Sequence, residues 1–311
     1  EQPPPNLPQT LGEETERPQP VPEKPTPAGT EPAAEPSFPQ ERQPTEPTDR
    51  TDQLTEAIPE TGSRGLAEGV RQLLHKGETI DEKWFFQLAD TAYGGTRGEG
   101  KYGPSQAYDG LETGLNLYLR GLKPASTPTE EIEQLKGVLD RVPAQKSRSG
   151  EKDLLQQFST PPHYAYAAAW AANIGPNDVV LEPSAGTGGL AVHAEREGAA
   201  LVYGNELSGE RTRLLSALGL DAVFTEDAEQ IHNILPAQLQ ENGFPRPSVV
   251  LMNPPFSHAG HRTGQKTIPG TDLKHIDAAL ELLEDQGRLV AIVGAPLHGE
   301  NTKTFDRWYN G

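Results

Sequence analysis

Val179-Val180-Leu181 reads as a short buried strand, and Glu182-Pro183-Ser184-Ala185-Gly186-Thr187-Gly188-Gly189 follows at once, ahead of an Ala-rich helical stretch. Strand, glycine turn and helix in that order form the first β-α unit of a nucleotide-binding sheet. Gly186 and Gly188 would let the backbone approach a ligand where any Cβ would collide. The next apolar run, residues 200–206, ends in Glu206, 20 residues beyond Gly186. That spacing suits a βαβ unit that brings an acid to ribose hydroxyls, although a dehydrogenase would show the same acid and a strand can simply end in a solvated carboxylate. Further strands are read at residues 222–225, 248–252 and 287–293, with helical segments between them, so the fold class is α/β with a Rossmann-like sheet.

The fourth strand ends in Asn253-Pro254-Pro255-Phe256. Two successive prolines cannot donate to a ladder, so the strand stops and the chain leaves extended. An amide, a carbonyl without a helical partner and an aromatic ring then meet at the carboxyl edge of the sheet. An exocyclic amine on a flat base needs two hydrogen-bond acceptors and a stacking face. The Asn253 side-chain oxygen, the Pro254 carbonyl and Phe256 would provide them. Accepting both hydrogens localises the lone pair on nitrogen, and a base in a duplex must first leave its stack. The loop at 257–271 is rich in Gly and carries His258, His261, Arg262 and Lys266, well placed to touch substrate phosphates. His258 and His261 have no third ligand nearby, so no metal is expected.

Gln157-Phe158-Ser159-Thr160-Pro161-Pro162 precedes another Ala-rich helix. Thr160 suits an N-cap and Pro161 the first helical position, which would leave an anion-binding helix end. Three motifs now stand in order. Asn-Pro-Pro-Phe resembles the catalytic motif of amino-directed methyltransferases that use S-adenosylmethionine. Gln-Phe-Ser-Thr-Pro is similar to the motif ahead of the cofactor loop in adenine methylases, type I modification subunits included. Glu-Pro-Ser-Ala-Gly-Thr-Gly resembles that cofactor loop. The likeness covers roughly residues 155–295.

The resemblance implies an adenine-specific DNA methyltransferase that transfers methyl from S-adenosylmethionine to adenine N6. It places Phe158, Thr160, Glu182, Ser184, Gly186, Gly188, Glu206, Asp227 and Asn253 at the cofactor, with Glu182 accepting from the methionine ammonium directly or through water. Asp227 either accepts from the cofactor's adenine amine, as in the family, or caps the following helix. Asn253, Pro254, Pro255 and Phe256 would be catalytic, and His258, Arg262 and Lys266 would bind substrate. Cytosine N4, an RNA base and a protein glutamine are the alternative acceptors. A non-catalytic DNA-positioning module of a larger helicase-type machine is the reading from another class. A full sheet of this family has seven strands and five are legible. With a start at Glu1, that leads us to expect a piece of a longer protein, truncated at the C-terminal side of the methyltransferase domain.

The 311 residues divide by composition. Residues 1–62 are expected to be a disordered Pro/Glu-rich segment, since residues 1–60 hold 15 of the 30 prolines and 13 acidic against 4 basic residues. Residues 63–150 read as a small all-α domain and residues 151–311 as the methyltransferase domain. Leu66, Val70, Leu73 and Leu74 form one helical stripe, and Tyr108, Leu111, Leu115 and Leu119 another. Gly94-Gly95-Thr96-Arg97-Gly98-Glu99-Gly100 lacks a P-loop ending and a preceding strand, which favours an interhelical connection over a phosphate cradle. Residues 92–109 also resemble the region ahead of the methylase in large phage and plasmid antirestriction proteins, where it is fused to a strawberry-notch-like helicase. That likeness implies a helicase segment of the same polypeptide as partner and a bacterial, phage or plasmid cytoplasmic setting. The absence of cysteine excludes disulfides and thiolate chemistry, no apolar run is long enough for a membrane span, and the net charge of −18 argues against a generally basic coat.

Overall fold

The computed structural model describes residues 61–144, 160–254 and 271–293, so the Pro-rich segment lies outside the described residues. Four helices come first: α1 (Gly62–His75), α2 (Glu82–Tyr93), α3 (Pro104–Arg120) and α4 (Pro128–Leu139). Their starts follow local chemistry. Asp81 caps α2 by accepting from the Trp84 N–H at 2.7 Å, Pro104 opens α3, and Thr127 and Glu130 close a capping box on α4. The glycine stretch after α2 is an interhelical connection. Gly94 ends α2 in the left-handed region, and a 3-10 turn (Arg97–Glu99) is closed by a Thr96–Glu99 capping box. Its Thr96 and Glu99 N–H groups are thereby satisfied within the loop itself.

The second half alternates strand and helix: α5 (Pro162–Ala171), β1 (Val179–Glu182), α6 (Gly189–Arg196), β2 (Leu201–Asn205), α7 (Gly209–Ala217), β3 (Ala222–Phe224), α8 (Ile231–Asn242), β4 (Val249–Met252), α9 (Thr271–Leu280) and β5 (Arg288–Ala291). All pairings are parallel, in the order β3-β2-β1-β4-β5. The fold is mixed α/β, and each strand carries apolar residues on both faces because helices cover both. Val180, Val202, Val249 and Leu251 pack with alanines and Leu190 of α5 and α6. Val179, Leu181, Tyr203, Val250 and Met252 pack with Ile231, Leu235, Leu239 and Ile276 from α8 and α9. The stripes of α1 to α4 form a third layer, whose core continues into Tyr166, Val192, Leu215 and Leu218.

The amino ends of the central strands are pinned by Asp178. Its carboxylate accepts from the Ser248 hydroxyl at 2.8 Å, from Arg288 Nη2 at 2.7 Å and from the Gly175 N–H at 2.8 Å. The carboxyl ends are left to loops. Strand order reverses between β1 and β4, and at such a switch point open α/β sheets bind ligands. Among the described residues, no helix is long and apolar enough to cross a membrane.

Candidate functional site

The turn after β1 is built from its neighbours. Gly186 and Gly188 have φ of +56° and +85°, values that L side chains rarely adopt. The Gly186 N–H donates to Glu206 Oε2 at 2.8 Å, and the other oxygen of that carboxylate accepts from Ser208 N at 2.8 Å. Glu206 stands one residue past β2, is 7% exposed, and so closes the glycine turn against the second strand. The space beside Gly188 is occupied by protein: a Cβ there would collide with Leu218 Cδ1 and lie 3.0 Å from Leu215 Cδ1. Gly188 thus lets α7 pack beneath the turn, and the room for a ligand was expected on the same missing atom.

Glu182 also has a contact within the chain. Its carboxyl is 3% exposed and accepts from the Ala191 N–H at 2.7 Å, at the amino end of α6. Gly188, the residue at the helix cap, has no side chain to satisfy those N–H groups, so an acid from the preceding strand does so. Burial pushes its pKa up to about 8 against the pull of the Ala191 and Leu190 N–H groups. A carboxyl held inward and largely protonated at neutral pH is suited to bracing the turn.

Asn253 lies just beyond β4, and its Nδ2 donates to the Thr160 hydroxyl at 2.8 Å. Its Oδ1 is buried without a hydrogen-bond partner among the described residues. A buried acceptor left open costs free energy, and such groups gather where a ligand completes them. Thr160 is free for this contact because α5 starts one residue later than expected. Pro161 occupies the cap with ψ of 138°, and Pro162 is the first helical residue. The residue before a proline is biased away from the helical region, so the second proline decides the start. The Thr160 carbonyl oxygen lies 3.8 Å from where a Cβ on Gly189 would stand, so Thr160 bridges the β4 edge and the glycine turn.

Asn205 ties the three loops together. Its Nδ2 donates to the Pro183 and Glu226 carbonyl oxygens at 2.9 Å each, and its Oδ1 accepts from Glu226 N at 2.8 Å. Asp227 follows on an exposed turn and accepts from Glu229 N at 3.0 Å, while α8 is capped by Gln230. The turn therefore precedes the helix, and Asp227 is not its cap. Ser184 is half-buried on the same turn as Gly186. Leu207, next to Glu206, is 58% exposed at this edge, an apolar surface that no motif announced. Also unread were Asp109, Asn116 and Arg211, all buried behind the glycine turn. Phe158, Pro255, Phe256, His258, His261, Arg262 and Lys266 lie outside the described residues. Among the described residues, no group of three His, Asp or Glu side chains is arranged to hold a metal ion.

No family model matches this chain, and no curated protein matches it. Several solved structures resemble it. A putative RNA methyltransferase from Pyrococcus horikoshii is 22% identical, with a TM-score of 0.40 over 58% of this chain and 79% of the other. TrmN from Thermus thermophilus is 20% identical, with a TM-score of 0.37 over 60% of this chain and 61% of its own. An rRNA methylase from Streptococcus thermophilus is 17% identical, with a TM-score of 0.32 over 50% of this chain and 81% of the other.

Proposed function

We propose that the cleft at the carboxyl ends of β1, β2 and β4 binds S-adenosylmethionine and directs its methyl group to the N6 amine of adenine in DNA. The observation that carries this reading is the buried Oδ1 of Asn253, without a partner among the described residues, with its amide already oriented by Thr160. Glu206, braced by Gly186 and Ser208, offers a fixed carboxylate to ribose hydroxyls. Asp227 stands at the rim for an adenine amine, and Leu207 offers apolar surface beside it. When bound, the cofactor supplies an electrophilic methyl carbon on a sulfonium. The chain itself contributes orientation. Asn253 Oδ1 accepts one hydrogen of the substrate amine, and the Pro254 carbonyl takes the other. The nitrogen lone pair is thereby withdrawn from the ring and aimed, so no strong base is required. The proton displaced from nitrogen passes to water. Phe256 supplies the stacking face for a base taken out of its duplex. The basic residues Arg262 and Lys266, which follow this motif, support a nucleic acid as acceptor, and the likeness of residues 157–161 to the adenine-methylase motif tilts the reading to DNA.

Tritiated methyl transfer from S-adenosylmethionine to adenine-containing duplex DNA tests the proposal, with RNA and protein offered in parallel. The Asn253→Ala variant is expected to lose roughly 10²–10³-fold in turnover, the range seen when one oriented acceptor or donor is removed. Label appearing in RNA or in protein glutamine would overturn the acceptor. Label in none of them would overturn the enzymatic reading.

A further inference from the structure

Helix α3 turns one polar face to the glycine turn. Asp109, Glu112 and Asn116 are spaced three and four residues apart, so they share a side of the helix. Asn116 Nδ2 donates to the Thr187 carbonyl oxygen at 2.9 Å and reaches its hydroxyl at 3.3 Å. That hydroxyl donates in turn to Glu112 Oε2 at 3.4 Å. Asp109 Oδ1 accepts from Arg211 Nη2 at 2.8 Å, in an ion pair whose side chains are 7% and 5% exposed. Arg211 lies directly under the turn, since a Cβ on Gly186 would be 3.3 Å from its Nη1. Two consecutive residues of the turn, Gly186 and Thr187, are therefore each backed by α3, one through Arg211 and one directly.

We propose that Asp109 and Asn116 are positioning residues for the ligand-binding turn, so that the helical layer sets the affinity of a site it does not itself line. The reason lies in the turn's own chemistry. A segment with two glycines at positive φ has many conformations available, and a ligand that must order it binds more weakly. Contacts that order the turn beforehand remove that cost. Surface-oriented polar residues would face water here. Instead Asp109 and Asn116 are buried, as are their partners Arg211 and Thr187 from the sheet half of the chain.

The proposal rests on reading the turn as an S-adenosylmethionine site, and the test separates the two. Calorimetry on the full 311-residue chain measures S-adenosylmethionine affinity, and amide hydrogen exchange follows the Gly186 and Gly188 N–H groups. Asn116→Ala is expected to weaken binding about tenfold, the equilibrium counterpart of one buried hydrogen bond. Exchange at Gly186 and Gly188 should quicken while Val250 and Leu251 in β4 stay protected. Asp109→Asn combined with Arg211→Gln should be no worse than either alone, as expected of two groups acting as one unit. Arg141→Met is the control. Arg141 clamps the Leu74 and Glu78 carbonyl oxygens within the helical layer, so its loss should lower Tm without moving affinity. Wild-type affinity and turn protection in Asn116→Ala would overturn the proposal. So would an affinity loss in Arg141→Met matching that of Asn116→Ala. A wild-type chain that binds no S-adenosylmethionine overturns the cofactor reading alone, and the exchange rates then decide the positioning role.

Discussion

Glu182 and His193 are both buried, on β1 and on the α6 helix that follows, and they respond to pH in opposite directions. Burial raises Glu182 to about 8 from 4.5. The folded state therefore holds a proton that the unfolded chain releases, and stability falls as pH rises from 4.5 toward 8. His193, 1% exposed, is lowered to about 3 from 6.5 by burial and by the charge of Arg196. It stays neutral in the fold, so its contribution is complete above 6.5 and declines as pH falls toward 3. Between 4.5 and 6.5 the two trends offset. Above 6.5 only Glu182 acts, and Tm is expected to decline from pH 6.5 to 8. Glu182→Gln keeps an acceptor for Ala191 and should flatten that decline in a series of melting curves. A variant retaining the wild-type slope would assign the slope to another group. At this scale, the places of Glu206 and Asn253 were readable because a strand end fixes where the next side chain stands. The contact of Glu182 with a helix end nine residues onward was not readable, because Gly188 has no side chain to signal the need. Thr160 was misplaced by one residue because Pro162 outweighs Pro161 in setting the helix start.

Among the elements, α3 shows how far periodicity reaches. Tyr108, Leu111, Leu115 and Leu119 are buried as the stripe predicts. The opposite side of the helix is buried too, through Asp109, Thr113 and Asn116, and single-sequence patterning assigns polar residues to solvent. The partners of Asp109 and Asn116, Arg211 and Thr187, lie 102 and 71 residues away, beyond any local window. Gly110 and Gly114 were the available hint, since two glycines four residues apart inside a helix suggest a close neighbour. That neighbour is α1. A Cβ on Gly114 would collide with the Ala67 carbonyl oxygen and lie 2.7 Å from Val70 Cβ. Backbone cannot swing aside as a side chain can, so Gly114→Ala should destabilise the chain by about 1–3 kcal/mol, the usual range for overpacking. Urea unfolding measures it, and an unchanged midpoint would mean that α1 and α3 separate freely.

For the whole molecule, the described helices and sheet fall in one compact unit. The core beneath α1 to α4 takes in Tyr166, Ala185, Val192, Leu215 and Leu218, and the ion pair of Arg196 with Glu131 joins α6 to α4 in the same layer. A chain shortened to residues 145–311 would present those apolar groups to water and leave Arg196 and Arg211 without Glu131 and Asp109. We expect it to lose cooperative unfolding and to bind hydrophobic dyes, monitored by circular dichroism and dye fluorescence. A sharp transition in the shortened chain would show that the sheet half is self-sufficient. Composition made the helical and sheet halves visible, but nothing in it shows that two segments share a core.

The place of β4 beside β1 also governs how the chain is made. Val179 meets Ser248 across 69 residues, whereas β1 and β2 pair within one β-α-β unit. On a ribosome, β1 is expected to acquire its β2 neighbour early and then wait, one edge of unpaired N–H and C=O groups open, until β4 has been synthesised. The helices α1 to α4 are synthesised by then, and in the finished fold they pack over the α6 and α7 side of the sheet. The same N-terminal layer that braces the finished site thus stands ready as a shield for the nascent one, on the face it covers, while the sheet still lacks its central partner.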